Sequence, residues 1–154
     1  MTRPALLASL CAAAISVPAV PILAKPAEGW TLRAAANSSP VAVLDGPGNL
    51  QNLALFCLSG QPFLALVFHQ PPKPETLALD FDLAAAGRIR LAVRREPSAG
   101  DAYLALLRDQ PLAQALAGRD TSVRLAIDGA AAGTLPLAGS TATIRAALAS
   151  CLPL

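Results

Sequence analysis

At 154 residues the chain is long enough for one domain and too short for two. Hydrophobic residues make up 54% of it and aromatics 4%, so a core must come largely from Leu, Val, Ile and Ala. A net charge of +2 at pH 7 gives no electrostatic reason to expect nucleic acid as a partner.

The first segment, MTRPALLASLCAAAISVPAVPILA, has Arg3 ahead of an uncharged stretch from Pro4 to Ala24. Ile22 and Ala24 suit the third-last and last positions before a peptidase cut, which is the pattern of a secretory signal. Val17 and Ala19 form an earlier option. The rival reading is an uncleaved anchor, since the stretch approaches the roughly 20 residues of one span. Pro18 and Pro21 interrupt such a helix. Leu10 before Cys11 argues against lipidation, and Thr2-Arg3 is no twin-arginine signal. The expected division is a signal peptide over residues 1–24 and a single β-rich domain over residues 25–154. Ten arginines against two lysines, with abundant alanine, suit a GC-rich bacterial genome. With an export signal, that points to the periplasm or the medium, with no stable membrane insertion after cleavage.

Trp30, Leu32 and Ala34 alternate with Thr31, Arg33 and Ala35, as in an edge or half-buried strand, and Trp30 is expected as a core plug. VAVLD is a second strand, closed by DGPGN. LALFCL and FLALVFHQ are apolar on both sides, so both are expected at the centre, joined as a hairpin through SGQP. Pro62 would loosen that turn. QPPKPE is a rigid extended loop with His69 at its mouth.

TLALDFDL and RIRLAVRRE form the clearest hairpin. Leu77, Leu79, Phe81 and Leu83 face in with Ile89, Leu91 and Val93, while Asp80, Asp82, Arg88, Arg90 and Arg94 face out. Gly87 would end a three-residue loop, pairing Ala84 with Arg88 and Asp82 with Arg90. Alone, Arg88, Arg90, Arg94 and Arg95 look like an anion site, and the two aspartates like an acid/base pair. Side by side they read as a cross-strand charge ladder on a solvated face. His69, Arg94 and Arg95 remain as a possible binding edge, with a strand-end residue as the plainer reading of His69.

DAYLALLRD is read as a short strand and QPLAQALAG as a helix with Pro111 in its first turn and Gly118 as its stop. SVRLAIDG is a strand. AAAGTLPLAG gives a turn and a short strand, with Pro136 marking an edge. A last helix runs from about Thr141 to Cys151, with Ser140 as N-cap and Ile144, Ala147, Leu148 and Cys151 on one face.

Signal removal leaves two cysteines, Cys57 on an apolar strand and Cys151 on that helix face. A zinc site needs about four ligands and the chain holds one histidine. A thiol nucleophile needs a base, and nothing local brings His69 to either sulfur. In an oxidising compartment the pair reads as a Cys57–Cys151 disulfide.

The expected fold is mainly β: an antiparallel sandwich or partly open barrel of about seven to nine strands with two short helices, the C-terminal one disulfide-linked to a central strand. RLAIDGAAAGTLPLAGSTATIRAALASC resembles the C-terminal portion of small exported proteobacterial β-proteins of unassigned role, including periplasmic accessory proteins of type VI secretion. The resemblance covers the last third of the chain and departs at Leu152, where an aromatic residue would follow the cysteine. It implies an exported β-domain. The expected role is that of a non-enzymatic accessory or protein-binding module of the bacterial envelope, its partner another envelope protein docking on an edge strand or loop. A carrier of a small apolar ligand inside the β-shell is the alternative, and a hydrolase using His69 a third reading. No motif implies a cofactor or a metal.

Overall fold

A computed structural model describes residues 29–34 and 38–154; the expected signal peptide, residues 1–24, lies outside these. Nine strands and two short helices follow in chain order. The strands are β1 (Thr31–Arg33), β2 (Val41–Asp45), β3 (Leu50–Leu58), β4 (Gln61–Phe68), β5 (Thr76–Leu83), β6 (Gly87–Glu96), β7 (Ala102–Leu106), β8 (Ser122–Ile127) and β9 (Ala130–Pro136). Helix α1 (Leu112–Leu116) lies between β7 and β8, and α2 (Ser140–Leu148) follows β9. The strands make one open antiparallel sheet in the order β1-β2-β3-β4-β7-β6-β5-β8-β9. The expected antiparallel, mainly β class with two helices is what forms, with β3 and β4 well inside the strand order.

Alternation along the strands explains the core. Leu53, Leu55 and Cys57 on β3, Leu64 and Leu66 on β4, and Leu79 and Phe81 on β5 point to one side and form a single buried cluster. Both helices put their apolar faces into that cluster, α1 through Leu112 and Leu116 and α2 through Ile144, Ala147 and Leu148. Trp30 is a core plug as expected, 6% exposed. Among the described residues its indole Nε1 has no partner.

The sheet curls until its two edges approach without pairing. The Trp30 N–H donates to the Ala138 carbonyl at 2.9 Å. Gly133 on β9 lies against the β2–β3 turn, where a Cβ would stand 2.7 Å from Pro47 Cγ. Its φ of +142° is likewise closed to L side chains, so only glycine serves here.

Four local expectations need correction. The β5–β6 hairpin pairs Leu83 with Gly87, Asp82 with Arg88 and Asp80 with Arg90, two residues from the expected register. Gly87, at φ +72°, joins the ladder as its first pair instead of ending the loop, which is Ala84–Ala86. A two-residue shift keeps every side chain on its face, so the inward set is unchanged. The β3–β4 turn is a tight two-residue one, because Ser59 and Gly60 both take positive φ. Pro62 is tolerated there: its carbonyl accepts from Leu107, so its nitrogen points the same way, past the last β4–β7 pair, Phe63–Leu106. Finally, Gly139 in the left-handed region is the N-cap of α2, and Ser140 is its first residue, buried without a capping bond. The strand β9 also starts earlier than expected, because Asp128 and Gly129 alone make the turn before it.

Cys57 and Cys151 are joined, their Cα atoms 5.9 Å apart and 94 residues apart in sequence. Closing a loop of that length is worth about 4.5 kcal/mol on the chain-entropy model. The bond fastens the end of α2 to the sheet that this helix covers, β1 to β3. It also points to a non-reducing compartment.

Candidate docking face

The side of the sheet turned away from the helices divides into two chemically opposite halves. Across β6, β5 and β8 it carries charge. Arg90 gives Asp80 a two-pronged contact, Nε to Oδ1 at 2.7 Å and Nη2 to Oδ2 at 3.0 Å. Arg124 donates to Asp82 at 2.7 Å. Hydrogen bonding from Arg90 holds the Asp80 carboxyl below its usual value, against a desolvation that pushes it up. The same bond raises Arg90. Asp80 is thereby kept ionised and its two oxygens are occupied, so it is neither an acid nor a free base at neutral pH. The charge ladder expected from the alternation is present, with Asp80 rather than Asp82 opposite Arg90.

Across β2, β3, β4 and β7 the same side is apolar. Register puts Val41, Phe56, Phe63 and Leu106 in one row over four strands. Val43, Ala54, Ala65 and Leu104 make the next row. Phe56 and Phe63 stack with ring centroids 6.1 Å apart. Leu58 and Leu106 stand 52% and 46% exposed. At the rim both signs are present: Arg33 is 3.9 Å from Asp45, and Arg94 helps to keep Glu96 ionised, second to hydrogen bonds from Ser98.

These outward residues were visible in sequence as the second apolar face of β3 and β4, and alternation alone reads such a face as interior. Both helices lie on the other side; on this one Leu58 and Leu106 stand exposed, Phe56 and Phe63 are half-buried, and Val43 and Ala65 are buried between their neighbours. A signal for this exists in the sequence: only two short helical segments, too few to cover two faces.

The three residues of the expected binding edge go to different surroundings. His69 follows β4, exposed, with its backbone N–H donating to the Asn49 carbonyl. Arg94 points outward beside Leu104 at the border between the apolar and charged halves. Arg95 points inward and donates through Nε and Nη2 to the hydroxyl of Tyr103, at 3.2 and 3.0 Å. That hydroxyl lies 2.8 Å from the Pro72 carbonyl and 2.6 Å from that of Pro74. One proton serves one of the two at a time. Arg95 and the buried Tyr103 thus tie the proline loop to the sheet, a fastening that spacing alone did not reveal.

Comparison with protein-family models, with curated proteins and with solved structures finds no match for this chain. Among the described residues no group of three or more His, Cys, Asp or Glu could hold a metal ion. No helix among them is long and apolar enough to cross a membrane.

Proposed function

We propose that the protein is an exported, non-enzymatic module of the bacterial envelope, and that it docks another envelope protein on the apolar face of β2, β3, β4 and β7. The single observation that carries this reading is the uninterrupted row Val41–Phe56–Phe63–Leu106 on the side of the sheet opposite the helices. At a strand spacing of about 4.8 Å and a same-face rise of about 6.7 Å, the two rows span roughly 260 Å². A patch of that size lies just below the range of the largest patches on ordinary monomers, which are often functional. It is about a third of the ~800 Å² per partner that a stable complex buries, so it suits one apolar segment of a partner better than a second copy. The mixed charge at the rim fits an apolar partner and offers no steering toward a strongly charged one.

The face takes precedence over the edge strands first expected as the contact. Strand β1 is three residues long, and β9 is abutted by Pro47 at Gly133 and ends in Pro136. Export rests on the amino-terminal pattern and on the disulfide, and the likeness to periplasmic accessory proteins agrees with both.

The test is co-purification from the envelope of the native host, under oxidising conditions, of the natural protein against Leu58→Asp and Leu106→Asp. Both side chains are half exposed, so each change should leave stability within about 0.5 kcal/mol. Loss of one defined co-purifying protein in both variants is the expected result. Equal recovery with and without the apolar side chains contradicts the reading.

A further inference from the structure

We propose that the groove between the end of α1 and the start of α2 binds a phosphate group, held between Arg119 and Arg145. The site is separate from the docking face and does not depend on it.

The walls of this groove are fixed by backbone. Thr141, in the first turn of α2, donates its hydroxyl to the Ala117 carbonyl at 2.9 Å and lies 3.3 Å from that of Gly118. Gly118 in turn donates to Ala115 at 3.0 Å, closing α1. Arg119 leaves the chain directly after this junction. Arg145 is one helical turn beyond Thr141, on the same face of α2. Together with Gln114 and Ala117 they line a groove of about 360 Å³. Past Gln114 and Leu154 an adjoining groove of about 410 Å³ carries both Arg108 and Asp109, with room for the remainder of a small ligand.

Two arginines without a carboxylate partner share this groove. Elsewhere, Arg33, Arg90 and Arg124 pair with carboxylates and Arg95 with Tyr103. Arg119 and Arg145 have no ion pair or hydrogen bond among the described residues, although they line one groove. The nearest carboxylate in sequence, Asp120, is engaged by the Ala85 N–H at 3.1 and 3.2 Å. Each guanidinium offers a planar fork of donors. A carboxylate has two oxygens and satisfies one fork; a tetrahedral phosphate has enough to meet two forks arriving from different sides. The phosphate can belong to a soluble phosphoester or to a phospholipid headgroup.

Calorimetric titration of the disulfide-bonded protein with glycerol 3-phosphate, at constant ionic strength, is the test, paired with sedimentation on phosphatidylglycerol vesicles. Arg119→Gln and Arg145→Gln, both exposed, should keep the melting midpoint and each weaken binding by about tenfold or more. Arg88→Gln, opposite Asp82 on the charged outer face, should bind as the natural protein does. Saturable binding of glycerol 3-phosphate alone supports the site with a soluble ligand. Vesicle retention lost in Arg145→Gln supports it with a headgroup. No saturable binding in either arm, or equal weakening by Arg88→Gln, overturns the proposal.

Discussion

Asp80 shows how one residue can look catalytic in a sequence and be structural in the fold. Its side chain is 11% exposed, and both oxygens are taken by Arg90. Because this contact lowers its folded-state pKa, Asp80 contributes stability that is complete above the unfolded carboxylate value near ~3.9 and is lost as pH falls through the folded value. Asp80→Asn should therefore destabilise at neutral pH and converge with the natural protein in acid, as followed by urea denaturation between pH 7 and pH 2. A constant difference across that range would mean that the ion pair is not the source. The alternation of the sequence placed Asp80 and Arg90 on one face and paired their strands. Register was the part out of reach, since both candidate pairings keep every apolar residue inward and the choice rests on whether Gly87 ends the loop or opens the ladder. Arg95 was legible as a charged residue and not as an inward-pointing, half-buried donor. The Tyr103 hydroxyl it serves is eight residues away on a different strand.

Among the elements, α2 and β3 are the pair on which most depends. The helix is nine residues long, too short to persist alone in water. Its order comes from Ile144, Ala147 and Leu148 in the core and from the sulfur bridge beside them. Cys57→Ala combined with Cys151→Ala should lower the unfolding free energy by about 2–5 kcal/mol, read from the urea midpoint, and reduction of the natural protein should match it. A loss below about 1 kcal/mol would show that packing alone secures the helix. The cysteines were the most readable feature of the sequence, because strand and helix alternation each put a sulfur on an apolar face. The N-cap was misplaced by one residue, since Gly139 and Ser140 are both competent caps and only tertiary packing, which buries Ser140, decides between them.

At the scale of the molecule, the helices settle which side of the sheet is core. A nine-stranded sheet with apolar residues on both faces of β3 and β4 has two sides to cover, and the two helices cover one. The other side keeps a stacked aromatic pair and two half-exposed leucines next to a field of paired charges. Periodicity reports how apolar a face is; it does not report what lies over it, and here lies the difference between the expected interior and the observed surface. The functional account stands on that surface being occupied in the envelope. A photo-activatable residue at position 106, compared with one at position 88 on the charged half, measures this directly in living cells of the native host. One discrete adduct from position 106 and none from position 88 is the predicted result; no adduct from position 106, or the same adducts from both, contradicts it.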